Sequence, residues 1–182
     1  MAESAAWRRS PWTDAGQIAA ILAPEEGPGE ALGKSLPEWF AGLIATDETS
    51  AAVSFLAQAL PRYECVVWAA QGLLEIGAMD RSDPLATAIL RWVDNPDDQL
   101  RRSAAALTEQ EPRATAARFL AHAIFFSGGS LAPPEMPAVQ PPPEVCGKLV
   151  AAAIVTGVYS LPDPGPAMRR VLSIGEKIAS GD

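Results

Sequence analysis

Proline sets the outline of this chain. Pro37, Pro61, Pro84, Pro96, Pro112 and Pro143 each stand just before a stretch with the apolar spacing of a helix. Proline fixes φ and lacks a backbone N–H, which the first helical turn tolerates and a helix interior does not. Capping residues precede several of them: Ser35 ahead of Pro37, Asp83 ahead of Pro84, Asn95 ahead of Pro96. Ser35-Leu36-Pro37-Glu38 also fits a capping box. The breaks divide the chain into helical segments over 13–23, 37–45, 48–60, 61–76, 84–94, 96–109, 112–126, 144–160 and 165–179. No segment alternates with period two, and no Asn-Gly or Asp-Gly hairpin occurs. The predicted class is therefore all-α, one domain over 1–182, with 1–12 expected to be a loosely held N-terminal segment. Short connections between Glu48 and Phe126 predict a bundle of stacked antiparallel helical hairpins. No fixed-period repeat marks a solenoid.

The segment 144–160 carries one charge after its first residue, Lys148, and its apolar residues run nearly all round the helix. Such a helix is buried on most sides. It is expected to be the central one, although it comes late in the chain. Before it lies the proline-rich stretch 127–143. Its last thirteen residues, Leu131 to Pro143, extend to about 40 Å as polyproline II. That equals the diameter of about 40 Å expected of a compact domain this long. A strap crossing the domain, pegged by Leu131, Met136 and Val139, is the expected role. The alternative is a bait for a proline-reading domain, since Pro134-Glu135-Met136-Pro137 is a PxxP.

With 48% hydrophobic residues, the chain has enough apolar mass for a core. Its formal charge of −8 repels a phosphate backbone, and the basic residues between Arg91 and Arg118 are interleaved with acids. Nucleic acid is not an expected partner. The longest apolar run, Leu149 to Tyr159, is far short of the roughly 20 residues of a membrane span. Arg8-Arg9 lacks the apolar continuation of an export signal, so a cytoplasmic location is expected. One histidine and two separated cysteines, Cys65 and Cys146, do not make an ordinary zinc site. No metal or cofactor is expected, and the cysteines are expected reduced and buried.

Catalytic motifs are missing: there is no GxSxG, HExxH or P-loop. His122 lies off the inward face of its helix. Glu64 and Glu75 share one side of their helix but lie too far apart for a common proton or metal. Asp94, Asp97 and Asp98 surround a helix start, where the dipole favours negative charge. Trp92 reads as core. Trp68 is the residue that most invites a functional reading. It faces away from Tyr63, Val66, Val67, Ala70 and Leu74, on the side of Glu64, Gln71 and Glu75. A tryptophan on a polar face can anchor a partner. Trp68, Glu64, Gln71 and Glu75 are the interaction candidates, and partial burial is expected for the indole.

Two stretches carry a resemblance. Leu60-Pro61-Arg62-Tyr63-Glu64 runs to Val67-Trp68-Ala69-Ala70. Phe126-Ser127-Gly128-Gly129-Ser130-Leu131-Ala132-Pro133-Pro134 runs through Pro141-Pro142-Pro143 into an Ala/Val helix. Together, over roughly 48–160, they resemble an uncharacterised bacterial helical domain family associated with type VI secretion gene clusters. The resemblance implies an accessory or assembly role and carries over no catalytic residue. The expected function is a non-enzymatic helical protein that binds another protein. The rival is an enzyme or small-ligand binder with a pocket beside the strap, using Trp68, Glu64 and His122.

Overall fold

The computed structural model describes residues 6–181. Among them the chain forms nine α-helices and two short 3-10 turns, without strands. The helices are α1 (Ala15–Leu22), α2 (Leu36–Ala45), α3 (Thr49–Ala59), α4 (Arg62–Glu75), α5 (Pro84–Asp94), α6 (Asp98–Leu107), α7 (Ala116–Phe126), α8 (Val145–Tyr159) and α9 (Pro164–Ser180).

The caps explain where helices start. Ser35 accepts from the Glu38 amide and Asp83 from those of Leu85 and Ala86. Two starts differ from the proline-based expectation. Asn95 closes α5, and Asp97 caps α6 by accepting from the Leu100 amide at 2.7 Å. Thr115, three residues after Pro112, caps α7. In both cases an N-cap side chain that accepts from the N3 amide outcompetes the proline's preset φ, and the proline is left in the lead-in.

The expected central helix is central. α8 packs against α3, α4, α7 and α9, and Cys146, Val150, Ala153, Ile154 and Val158 are fully buried. α4 shares this position, touching α5, α7, α8 and α9. Sequential neighbours from α4 to α8 pack pairwise, as stacked hairpins require.

The proline-rich stretch does not cross the domain. α7 and α8 run antiparallel: a Cβ placed on Gly157, near the end of α8, would lie 3.2 Å from that of Ala116, at the start of α7. Both ends of the connection therefore lie at one end of the bundle, beside the α3–α4 corner. Arg62 donates to the Ser127 carbonyl there and Gln58 to that of Glu144. The stretch closes on itself instead. Leu131 N–H donates to the Val139 carbonyl at 2.8 Å, and a turn joins Met136 N–H to the Pro133 carbonyl. Residues 133–140 are exposed, with Met136 at 58% and Val139 at 52%. Two of the three expected pegs thus face solvent.

The N-terminal segment is docked, not loose. Trp7 is buried between Phe40 and Phe55, at centroid distances of 5.2 and 6.1 Å. Ser10 donates to the Ala59 carbonyl, the Trp12 indole to that of Gln58, and Arg9 N–H to that of Ala179. Burying an indole with its flanking hydrogen bonds satisfied outweighs the fixing of a short segment. Residues 1–5 of the expected loose segment lie outside the described residues.

Candidate functional site

Trp68 is not a surface anchor. Its side chain is fully buried, the largest such side chain in the molecule, and its indole N–H donates to the Val171 carbonyl of α9 at 2.8 Å. Two glycines make room for the contact. A Cβ on Gly175 would lie 2.5 Å from the Trp68 ring, and one on Gly72 would lie 3.0 Å from Val171. Helix α4 lies between α7 and α8 on one side and α9 on the other, so it has two buried faces. The side that reads as polar in the sequence is the α9 face. Glycines on facing helical positions were the signal for it, because a close helix approach needs them.

The other three candidates separate around that contact. Glu64 lies 3.8 Å from Arg9. Glu75 pairs with Arg170 of α9 at 2.8 Å, and Gln71 is exposed. Gln71 and Glu75 come together on a groove of about 900 Å³ between α4, α5 and α9. Its floor is Ala70, Leu74, Leu90, Val93 and Ile174, apolar and for the most part half-buried. Its rim is polar: Gln71 and the Glu75–Arg170 pair on one side, Asp80, Arg81 and Asp94 on the other. Only an occupant that covers the floor and meets charges of both signs matches this surface.

The second organised cluster holds the base of the proline loop. Arg101 is 3% exposed. It donates to Asp98, to the Phe125 carbonyl at 2.7 Å and to the Ser130 carbonyl at 2.9 Å. Its guanidinium carbon sits 4.9 Å from the Phe125 ring centroid. Arg102 donates to Asp98 and to the Ser130 and Ala132 carbonyls. Hydrogen bonds from Arg102 and then Arg101 hold the Asp98 carboxyl below the usual carboxylate range. Asp98 thus tethers both arginines, and they grip the loop through its carbonyls. The expected helix-start role of Asp97 is present, and Asp98 has this further one.

His122 is half-buried, and burial, with the nearby Arg118 charge adding, lowers its pKa. Cys65 and Cys146 are both buried and free. The Cys65 thiol donates to the Ala57 carbonyl at 3.2 Å. Burial, and then the neighbouring Cys146, push Cys65 well above the usual thiol value. Cys146 is pushed up to about 12 by burial, against a downward pull from Arg62. Neutral buried thiols of this kind are poor nucleophiles. Among the described residues no three His, Cys, Asp or Glu side chains converge as a metal site, and no helix is long and apolar enough to cross a membrane.

The fold and surface define an all-α single-domain protein with a mixed-polarity groove and an arginine-clamped loop. Residues 39–179 match the family of unknown function DUF6931, and the chain belongs to that family. The match reaches beyond 48–160 at both ends and takes in α9, the helix on which Trp68 docks. No curated protein and no solved structure matches the chain.

Proposed function

We propose that the protein is a non-enzymatic docking module that binds another protein in the α4–α5–α9 groove. The observation that supports this reading is the groove itself. Its apolar floor is only partly covered, and its rim carries Gln71, Glu75, Asp80, Arg81, Asp94 and Arg170. An amphipathic helix meets such a surface with apolar residues at helical spacing and charges along its flanks. The overall charge of −8 argues against a nucleic-acid occupant. Two free buried thiols fit a reducing compartment, and a cytoplasmic location goes with this reading. An accessory or assembly role in bacterial type VI secretion is the finer proposal, and it rests on the sequence resemblance alone.

The test is co-purification from the protein's own cell with two variants beside the parent. Leu90→Glu places a charge on the groove floor, and Met136→Glu alters the exposed proline loop. The groove reading expects a partner that is lost with the first and kept with the second. A partner lost only with Met136→Glu makes the proline loop the contact and overturns the groove assignment.

A further inference from the structure

A smaller hollow of about 280 Å³ opens at the other end of α4, where the N-terminal segment, the α3–α4 corner and the start of α8 meet. Its walls are apolar: Pro11, Trp12, Ile21, Leu60, Pro61 and Pro143. Among the residues that line it, Gln58, Arg62, Cys65 and Glu144 carry polar side chains. Three of these are already engaged. Gln58 donates its side-chain amide to the Glu144 carbonyl at 2.9 Å. The Glu144 carboxylate has Lys148 at 4.0 Å. The Cys65 thiol is spent on Ala57.

Arg62 differs. It makes one hydrogen bond, from Nη1 to the Ser127 carbonyl at 3.3 Å. Among the described residues no carboxylate lies within ion-pair distance of its guanidinium. A half-buried guanidinium with unused donors, set at an apolar hollow, is complementary to a carboxylate. The volume lies just under the roughly 300–1,000 Å³ of drug-sized sites, so the occupant is small. The wall composition asks for an apolar body.

We infer that this hollow binds a small organic acid, its carboxylate on Arg62 and its short apolar body between Trp12, Ile21 and Leu60. The site is independent of the groove and stands or falls without it. It adjoins the proline-rich stretch at Pro143, and it is not built from the residues that the rival sequence reading named. Trp68 is sealed in the core, and Glu64 and His122 do not line it.

Hexanoate is the probe, and the Trp12 indole N–H resonance is the readout, at about 10 mM ligand, tenfold above a weak millimolar Kd. Hexanoate is expected to shift that resonance saturably, and hexan-1-ol to bind more weakly. Arg62→Gln is expected to weaken hexanoate by roughly tenfold or more, as loss of a charge-assisted hydrogen bond does. Ile21→Trp, which fills the hollow and leaves Arg62 in place, is expected to abolish the shift, and its thermal midpoint reports that it folds. The C-terminus of a peptide offers the same chemistry, so acetyl-Ala-Leu is titrated in parallel. Tighter binding of that peptide overturns the free-acid assignment. An unshifted indole, equal binding of hexan-1-ol, or an Ile21→Trp protein that still binds overturns the site.

Discussion

The ring of Trp68 occupies the space that a side chain on Gly175 would need. A Cβ there would lie 2.5 Å from Cε2 and 2.6 Å from Nε1, while the indole N–H reaches the Val171 carbonyl one turn earlier. Two helices far apart in the chain, α4 and α9, are thereby fixed in register by one large residue set against one absent side chain.

Truncating that residue tests its role. Trp68→Ala is expected to cost about 3–5 kcal/mol, as core tryptophan truncations do. Gly175→Ala forces the ring aside and is expected to cost about 1–3 kcal/mol. Urea denaturation of both variants measures this. A Trp68→Ala protein of parental stability that has lost a partner restores the anchor reading.

Arg101 is expected to hold the loop more than the bundle. Arg101→Ala leaves the Phe125 carbonyl without its side-chain donor and the Ser130 carbonyl with Arg102 alone, at a cost of about 1–3 kcal/mol. Amide hydrogen exchange at Leu131 and Val139 should accelerate well beyond exchange in α8. Uniform acceleration across the molecule would instead mean that Arg101 supports the whole fold.

The middle of the proline loop is expected to be dispensable to stability. Leu131 and Val139 already meet through a backbone hydrogen bond, and residues 133–140 are exposed. Replacing 133–137 by two glycines is expected to change stability by less than about 1 kcal/mol, since loop length enters only logarithmically. A loss of several kcal/mol in thermal or chemical denaturation would return the stretch to the role of a structural strap.

His122, the single histidine, gives a pH signature. Its folded pKa is lowered by burial and Arg118, so the folded state binds its proton less readily than the unfolded chain. Stability is therefore full above the unfolded value of about 6.5 and falls as the pH drops through and below it. Denaturation midpoints at about pH 7.5 and 5.5 should differ in that direction, and His122→Gln should flatten the slope. A midpoint that rises on acidification contradicts the assignment.

Helix positions were legible in the sequence because their punctuation is chemical. Ser35 and Asp83 cap where their side chains suggest, and α8 announces its central place by lacking a polar face. Asn95 and Pro112 misled by a few residues, since Asp97 and Thr115 offered better acceptors. Two features were out of reach for a different reason. The path of the proline stretch depends on whether α7 and α8 run parallel or antiparallel, which no local composition encodes. The face of Trp68 reads as polar because Glu64, Gln71 and Glu75 flank it, and only a helix covered on two sides buries an indole among such neighbours. For the candidate surface, Gln71 and Glu75 belong to the groove, whereas Leu90, Val93 and Ile174 come from helices that only tertiary packing brings beside them.

The seam between Arg9 and Ala179 has a mechanical meaning. The backbone bond there sets the docked N-terminal segment directly beside the end of α9. Tension applied at residues 6 and 181 would bear first on that single backbone bond, with the packing of Trp7 between Phe40 and Phe55 and the hydrogen bonds of Ser10 and Trp12 to α3 carbonyls holding the segment behind it.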